Sequence, residues 1–145
     1  MKKVLFVCTG NTCRSPIAEK VFNALCKEKD LPFTSESSGV CTISGLPMSE
    51  KSAQVLTEEG IDPTPFESTS IDELDLSQID CFGALTDEHK EALEYGFGVD
   101  SEKIVVLNVE DPYGGSIAIY RMCFDEIKVA VNELINKLGE QYGDN

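Results

Sequence analysis

The chain has 145 residues, and its 26 Asp plus Glu outnumber its 12 Lys plus Arg, which leaves a formal net charge of −14. This excess of acidic groups argues against nucleic acid or an anionic membrane surface as partner, because both require clustered basic side chains. A hydrophobic content of 41% is too high for a disordered acidic tail. The length and the lack of repeats or linkers predict one domain over residues 1–145.

The first element is a short apolar run, residues 3–8, which predicts a buried strand ending at a glycine-containing loop. Ser15 and Pro16 then predict a helix start, with Ser15 as N-cap and Pro16 as the first helical residue. A weaker strand is predicted over residues 33–38, followed by a helix over residues 49–59.

Residues 62–77 are rich in Pro, Ser and Thr, which predicts mostly loop with a short helical turn. A third strand is predicted at 81–85, a helix at 86–95, a fourth strand at 104–107 and a loop at 111–115 before a long C-terminal helix. This alternation predicts an α/β sandwich with a mostly parallel sheet. Ligands of such folds bind beyond the carboxyl ends of the strands.

The N-terminal segment does not read as a secretory signal, because its apolar run, residues 4–7, is shorter than the 7–15 residues of a signal core. A cytoplasmic location is therefore expected, and the six cysteines (8, 13, 26, 41, 81 and 123) are expected to be free thiols. With one histidine, His89, and no Cys-x-x-Cys pair, neither a metal site nor another cofactor is expected.

The loop after the first strand carries the residues of an anion site. Gly10 and Asn11 tolerate positive φ, which a nest of inward-facing N–H groups requires. Cys8 at the strand end is a candidate nucleophile, because N–H donors, a helix N-terminus and Arg14 all favour its thiolate. Arg14 offers a fork for two phosphoryl oxygens, and Ser15 can donate a hydrogen bond to the sulfur. The Gly-Lys-Ser/Thr ending of a nucleotide-binding loop is missing.

A second candidate group lies about a hundred residues away, on the loop that follows the fourth predicted strand. Asp111 precedes a proline, so its backbone is extended, and it can serve as the acid that protonates a leaving group. Tyr113 can form an aromatic wall for a planar substrate group. The structural alternative is an ordinary turn, since Asp-Pro followed by Gly-Gly is common turn sequence.

Together these segments resemble the low-molecular-weight protein tyrosine phosphatase family, and the resemblance spans essentially the whole chain. It rests on four segments: Val7–Pro16, Ser37–Gly39, Thr86–His89 and Asp111–Tyr113. It implies a three-layer sandwich with a four-stranded parallel sheet flanked by helices, no metal, and a phosphocysteine intermediate.

The resemblance also implies the roles of the site residues. Cys8 would be the nucleophile, Arg14 the phosphate clamp and Asp111 the acid, while Asn11 would hold the loop through a hydrogen bond to Ser37. The remaining phosphate-binding loop would comprise Thr9, Gly10, Thr12, Cys13 and Ser15. The implied substrates are phosphorylated proteins and the implied product is inorganic phosphate, with the enzyme a monomer or weak dimer.

One branch of the family, the bacterial protein arginine phosphatases, is more similar. Thr12 stands where tyrosine phosphatases usually carry a bulkier aliphatic residue, and the Gly114–Ile117 segment also resembles that branch. A short hydroxyl side chain suits a polar guanidinium, so phosphoarginine is slightly favoured; phosphotyrosine is the alternative, because Tyr113 fits an aromatic substrate equally well. The chain departs from the family at Pro65 and Ser68, where many members carry His and Arg.

Two other functions are remote alternatives. An arsenate reductase would need two further cysteines on a mobile helix, and residues 80–93 contain only Cys81. A non-catalytic phosphate-binding module would not need Cys8 or Asp111. The family behaviour implies that Cys13 forms a protective disulfide with oxidised Cys8.

Several residues are expected to have structural roles only. His89 is expected at the surface or capping a helix, and Tyr120 in the core. The remaining cysteines are expected to be packing residues, namely Cys26, Cys41, Cys81 and Cys123.

Overall fold

A computed structural model describes residues 1–142 and contains one four-stranded sheet. The strands are β1 (Lys2–Cys8), β2 (Phe33–Gly39), β3 (Cys81–Ala84) and β4 (Ile104–Val106). Their order is β2-β1-β3-β4, and every neighbouring pair is parallel. The helices are α1 (Arg14–Glu28), α2 (Glu50–Glu58), α3 (Asp87–Glu91) and α4 (Ile117–Tyr142). The expected four-stranded parallel sheet is confirmed.

Alternation along β1 divides the core between the two faces of the sheet. Val4, Phe6 and Cys8 join one buried cluster with apolar residues of α1, α2 and α4. Leu5 and Val7 join the other cluster, with residues of β3, β4 and the 71–79 segment. The chain therefore forms three layers, with the sheet in the middle. Cys8 lies on the face that is covered by α1 and α4.

The start of α1 differs from the prediction. The helix begins at Arg14, the N-cap is Cys13, and no side chain caps the first turn. Ser15 does not act as N-cap because its hydroxyl bonds to groups of the preceding loop. Pro16 is tolerated at the third helical position, since the first turn has no intrahelical acceptor for its N–H.

Other element ends differ by a residue or a turn. The strands β3 and β4 each end one residue early, although the N–H groups of Leu85 and Leu107 still bond to neighbouring strands. The helix α3 is short and continues as a widened helical turn over Ala92–Gly96. The predicted loop at 62–77 contains two short 3₁₀ turns, Ile71–Glu73 and Leu76–Gln78.

No helix within residues 1–142 is both long and apolar enough to cross a membrane.

Candidate active site

The backbone of residues 8–13 forms a cradle at the carboxyl end of β1. Its carbonyl oxygens point outward and accept four hydrogen bonds of 2.8–3.1 Å from neighbouring segments. The carbonyls of Cys8 and Thr9 accept from the N–H groups of Val40 and Cys41. The carbonyls of Thr12 and Cys13 accept from the N–H of Ser49 and the hydroxyl of Ser52. Within the described residues, the N–H groups of Gly10, Thr12 and Cys13 have no protein acceptor. The loop therefore presents several backbone donors to an anion, with the N-terminus of α1 behind them.

Asn11 gives the loop its shape. It is fully buried with φ of 57°, whereas Gly10 is not in the left-handed region, so only one of the two predicted residues supplies positive φ. Gly39 in β2 approaches the loop so closely that a Cβ there would lie 2.5 Å from the carbonyl oxygen of Thr9. Glycine is thus required at residue 39 by the close approach of two backbones.

The sulfur of Cys8 lies at the floor of the cradle, and the residue is 3% exposed. It is 2.8 Å from Ser15 Oγ and accepts a hydrogen bond from the N–H of Asn11 at 3.3 Å. The side-chain amide of Asn11 in turn donates to Ser15 Oγ at 2.8 Å and to Ser37 Oγ at 2.9 Å. The hydrogen bond between Asn11 and Ser37 that the family resemblance implies is present.

Two groups hold this network from outside. The hydroxyl of Ser37 donates to Glu19 at 2.6 Å, and the N–H of Thr69 donates to Asn11 Oδ1 at 2.8 Å. Burial raises the pKa of Glu19, and its hydrogen bond from Ser37 partly offsets the rise. Pro65 and Ser68 are the two residues at which the sequence departs from the family resemblance. The hydroxyl of Ser68 donates to the carbonyl of Ile43 and accepts from the N–H of Leu46, and the carbonyl of Pro65 accepts from the ammonium group of Lys20. The network itself is held by Glu19 and by the N–H of Thr69.

Arg14 and Asp111 meet across the mouth of the cradle. The guanidinium of Arg14 is buried and donates from Nη1 to the carbonyl of Val109 at 3.0 Å. Its Nη2 is 3.8 Å from Asp111 Oδ2, and Asp111 is half exposed. The other carboxylate oxygen accepts from the N–H of Tyr113 at 3.0 Å. A cavity of about 220 Å³ is lined by loop residues 8–14 together with Asp111 and Tyr113.

A family model described as low molecular weight phosphotyrosine protein phosphatase matches residues 3–143. The chain belongs to this family. It is therefore an enzyme of the phosphatase class.

Relatives within the family carry two different names. A low molecular weight protein-tyrosine-phosphatase PtpB of Staphylococcus haemolyticus is 35% identical over 140 residues, which is 91% of this chain and 96% of the relative. A protein-arginine-phosphatase of Bacillus subtilis is 32% identical over 144 residues, 93% of this chain and 95% of the relative. The two identities are too similar to indicate a substrate.

Solved structures agree with the fold. The low molecular weight protein tyrosine phosphatase from T. tengcongensis has a TM-score of 0.90 at 37% identity, covering 95% of this chain and 100% of that one. A YwlE arginine phosphatase, described as a cysteine-to-serine mutant with a phosphorylated active-site serine, has a TM-score of 0.86 at 30% identity. The match covers 94% of this chain and 95% of that structure's chain.

Beside the cavity of this phosphatase lies a larger groove of about 670 Å³. The groove shares Thr12, Cys13 and Tyr113 with the cavity and extends along residues 46–51. Tyr113 is 82% exposed at the junction. A substrate with its phosphoryl group in the cradle therefore has room for its attached chain beside Tyr113.

The second loop cysteine, Cys13, lies where the cavity and the groove meet. Cys13 is buried, and its sulfur lies 3.5 Å from the hydroxyl of Tyr120. Tyr120 belongs to the core, as predicted, and burial together with Cys13 raises its pKa to about 12.

Most of the other cysteines pack as predicted. Burial raises the pKa of the thiols of Cys26 and Cys81 to about 11 and that of Cys123 to about 12. Cys41 is exposed, so its predicted packing role is wrong. Cys81 pairs with Val4, at the opposite end of β1 from Cys8, which is a poor position for the disulfide relay of an arsenate reductase.

The surface position expected for His89 is wrong, although its ring does contact Thr86, the N-cap residue of α3. The ring is 4% exposed and bonds on both nitrogens, to Thr9 at 2.9 Å and to Thr86 at 3.0 Å. Burial and the charge of Arg14 lower the pKa of His89 to about 4, so it is neutral at ordinary pH. The signal that could have identified it is its place just after β3, at the same sheet edge as Cys8.

Among residues 1–142, no three His, Cys, Asp or Glu side chains are grouped as a metal site would require.

Proposed function

We propose that this phosphatase hydrolyses phosphorylated protein side chains through a covalent intermediate on Cys8. The observation that carries the proposal is the position of its sulfur, at the floor of a cradle of unpaired backbone N–H groups. Arg14 lies at the rim, and Asp111 lies across the mouth. Nucleophile, oxyanion donors and acid thus share one cavity.

The chemistry runs in two displacements. The Cys8 thiolate attacks phosphorus, the bond to the leaving oxygen or nitrogen breaks, and Asp111 gives that atom a proton. Water then attacks the phosphocysteine, Asp111 takes a proton from the water, and the S–P bond breaks to release inorganic phosphate and the thiolate. The N–H groups and Arg14 stabilise the charge on the phosphoryl oxygens in both transition states. The phosphorylated serine described for the YwlE mutant supports a covalent step at the matching residue.

The test compares the chain with Cys8→Ser and Asp111→Asn on a series of aryl phosphates whose leaving groups differ in pKa. We expect Cys8→Ser to lose turnover but still bind inorganic phosphate, and Asp111→Asn to lose most on substrates with poor leaving groups. The matched control is Cys41→Ser, which removes an exposed thiol and leaves turnover unchanged. Full activity of Cys8→Ser would overturn the proposal. Phosphate binding without turnover by the unaltered chain would indicate a non-catalytic binding module.

Phosphoarginine is the slightly favoured substrate, because the short hydroxyl side chain of Thr12 lines both the cavity and the adjoining groove. A guanidinium carries donors that a hydroxyl can accept, whereas an aryl ring has none on its face. Phosphotyrosine is the second candidate, since the exposed ring of Tyr113 can flank an aromatic side chain. Steady-state kinetics on matched phosphoarginine and phosphotyrosine peptides decide between them.

A substitution at the same residue tests the preference independently. We expect Thr12→Ile to lower kcat/KM for the phosphoarginine peptide far more than for an aryl phosphate, because it removes a polar partner and adds bulk at the mouth. Equal losses on both substrates would contradict the role of Thr12 in specificity.

Cys13 is the candidate for redox protection. We propose that oxidised Cys8 is trapped by Cys13 as a disulfide, which a thiol reductant reverses. The buried position of Cys13 in the loop that starts at Cys8 supports this. After peroxide treatment and dithiothreitol, the unaltered enzyme should recover more activity than Cys13→Ser, and equal recovery would contradict the proposal.

The free thiols fit a reducing, cytoplasmic compartment.

A further inference from the structure

His89 is a buried, hydrogen-bonded side chain that the two displacements do not use. It comes from α3, which follows β3, and its ring reaches the loop that follows β1. The Nδ1 atom is 3.0 Å from Thr86 Oγ1, three residues earlier in the chain, so the ring orientation is held from its own element. Its Nε2 atom is 2.9 Å from Thr9 Oγ1. The imidazole thus bridges two neighbouring strand ends.

The contact falls on Thr9, which makes no other side-chain hydrogen bond within the described residues. The half of the loop nearer α1, residues 11–13, is held by the side-chain amide of Asn11 and by two hydrogen bonds. These bonds come from the start of α2 to the carbonyls of Thr12 and Cys13. In the half nearer β1, residues 8–10, Thr9 has one backbone hydrogen bond, from the N–H of Cys41 to its carbonyl. Thr9 itself is exposed at the rim. The His89 ring is therefore the side-chain contact that restrains Thr9.

We propose that His89 is a positioning residue that holds Thr9, and with it the first turn of the phosphate-binding cradle, in the anion-binding conformation. The inference rests on the phosphate-binding role proposed for the loop. His89 touches no reacting atom in this scheme, so its effect reaches the phosphoryl group through Thr9. An imidazole suits the task because it offers a second nitrogen to Thr86, which an aliphatic side chain of similar size does not.

The neutral state of His89 is compatible with this role. A neutral ring has one N–H donor and one acceptor nitrogen, and each threonine hydroxyl can serve as the complementary partner. When Nε2 carries the proton, it donates to Thr9 Oγ1 and leaves the Thr9 hydroxyl proton free for an anion in the cradle. Arg14 is a charged neighbour that opposes protonation of the ring, and Asp111 favours it.

The test is a double-mutant cycle on Thr9→Val and His89→Leu, with two readouts: kcat/KM for an aryl phosphate and the inhibition constant of inorganic phosphate. Each single variant should lower kcat/KM and raise the phosphate inhibition constant about three- to tenfold, the effect of one lost hydrogen bond. Because both remove the same contact, the double variant should lose no more than either single one. His89→Gln, whose amide nitrogen reaches a similar place, should recover most of the loss.

The control is Lys90→Gln, which removes a half-buried ion pair with Glu94 on the same helical segment and should leave both readouts unchanged. Thermal melting confirms that each variant is folded. If His89→Leu does not fold, the cycle is closed with His89→Phe, whose ring has no nitrogen to bond Thr9, and a double variant that loses no more than either single one still supports the proposal.

Multiplicative losses in the double variant, or an unchanged phosphate inhibition constant in the folded His89 variant, would overturn it. Failure of the unaltered enzyme to bind phosphate at all would instead contradict the proposed function of the loop.

Discussion

The side-chain amide of Asn11 determines where two hydroxyl protons point. Its nitrogen donates to both Ser15 and Ser37, so each serine oxygen accepts there and must give its single proton to another group. For Ser37 that group is the carboxylate of Glu19, and for Ser15 it is the sulfur of Cys8. The network therefore delivers a donor to the sulfur, and a hydrogen bond to the anionic form favours that form.

Asn11→Asp tests this assignment of the hydroxyl protons and leaves the shape of the side chain unchanged. Asp also tolerates positive φ, but an acceptor oxygen replaces the donor nitrogen, so the Ser15 proton turns toward the new carboxylate and away from Cys8. We expect kcat/KM to fall about 10²-fold or more, as for loss of an oxyanion donor, and alkylation of Cys8 by iodoacetamide to slow. The same change at exposed Asn132 on α4 is the control. Normal kinetics of Asn11→Asp would refute the proton assignment.

At the scale of elements, the site depends on how closely β2 and α2 approach the loop. The N–H groups of residues 40 and 41, just after β2, bind two loop carbonyls, and the first residues of α2 bind two more. These bonds turn the carbonyls outward, which leaves the N–H groups facing the cavity. The cradle is thus shaped by its neighbours as much as by its own residues.

Gly39→Ala tests the closeness of this approach. A Cβ at residue 39 meets the carbonyl oxygen of Thr9 at 2.5 Å and the nitrogen of Asn11 at 3.1 Å, and both are backbone atoms that cannot rotate away. We expect a loss of about 1–3 kcal/mol in unfolding free energy, typical of overpacking, together with weaker inhibition by phosphate.

The comparison for Gly39→Ala is Gly139→Ala in α4, where a Cβ meets nothing within 4 Å. That change should stabilise the helix by about 0.5–1 kcal/mol. Both are measured by urea denaturation, and equal effects at the two residues would contradict the close contact.

At the scale of the whole molecule, burial of His89 couples stability to pH. Burial and Arg14 lower its pKa from 6.5 to about 4 in the folded state. Between these values the unfolded chain binds a proton that the folded chain does not, so stability falls as pH decreases from 6.5 to 4. The loss amounts to at most about 3.5 kcal/mol, at about 1.4 kcal/mol per pH unit.

Urea unfolding at pH 7.5 and pH 4.5 measures this loss. His89→Gln has no titrating ring, so its stability should fall less between the two pH values than that of the unaltered chain. The pH-dependent loss assigned to His89 is the difference between the two proteins. Equal losses would show that His89 is not protonated on unfolding.

The uneven charge of the molecule predicts which substrates it prefers. Residues 1–29, which carry the first strand, the loop and α1, contain six basic and two acidic side chains, whereas the remainder contains six basic and 24 acidic ones. The overall field therefore repels anions, and phosphate is held by the short-range donors of the cradle.

We expect basic phosphopeptides to have a higher kcat/KM than acidic ones, and the difference to shrink as salt is raised. A matched pair of peptides that differ only in flanking Lys or Glu measures it. The same kcat/KM for both peptides at low and high salt would contradict the prediction.

The sequence alone was sufficient for the elements and for three of the residues that the structure brings together at the cavity. Strand, loop and helix signals are local, so the four strands, the Cys8 loop and the general place of each helix followed from apolar spacing and turn residues. Parallel strands bring their carboxyl ends to one edge, which is why Cys8, Arg14 and Asp111 were predicted to meet although Asp111 lies far along the chain.

Contacts between distant segments required the tertiary structure. Ser15 reads as an N-cap because Ser-Pro is a local helix-start signal, but the amide of Asn11 and the sulfur of Cys8 take its hydroxyl instead. His89 reads as a surface or helix-capping residue because nothing near it in the chain shows that its ring reaches Thr9, 80 residues away in sequence. Propensity and spacing describe a residue's neighbours along the chain, whereas a hydrogen-bond network depends on which segments pack side by side.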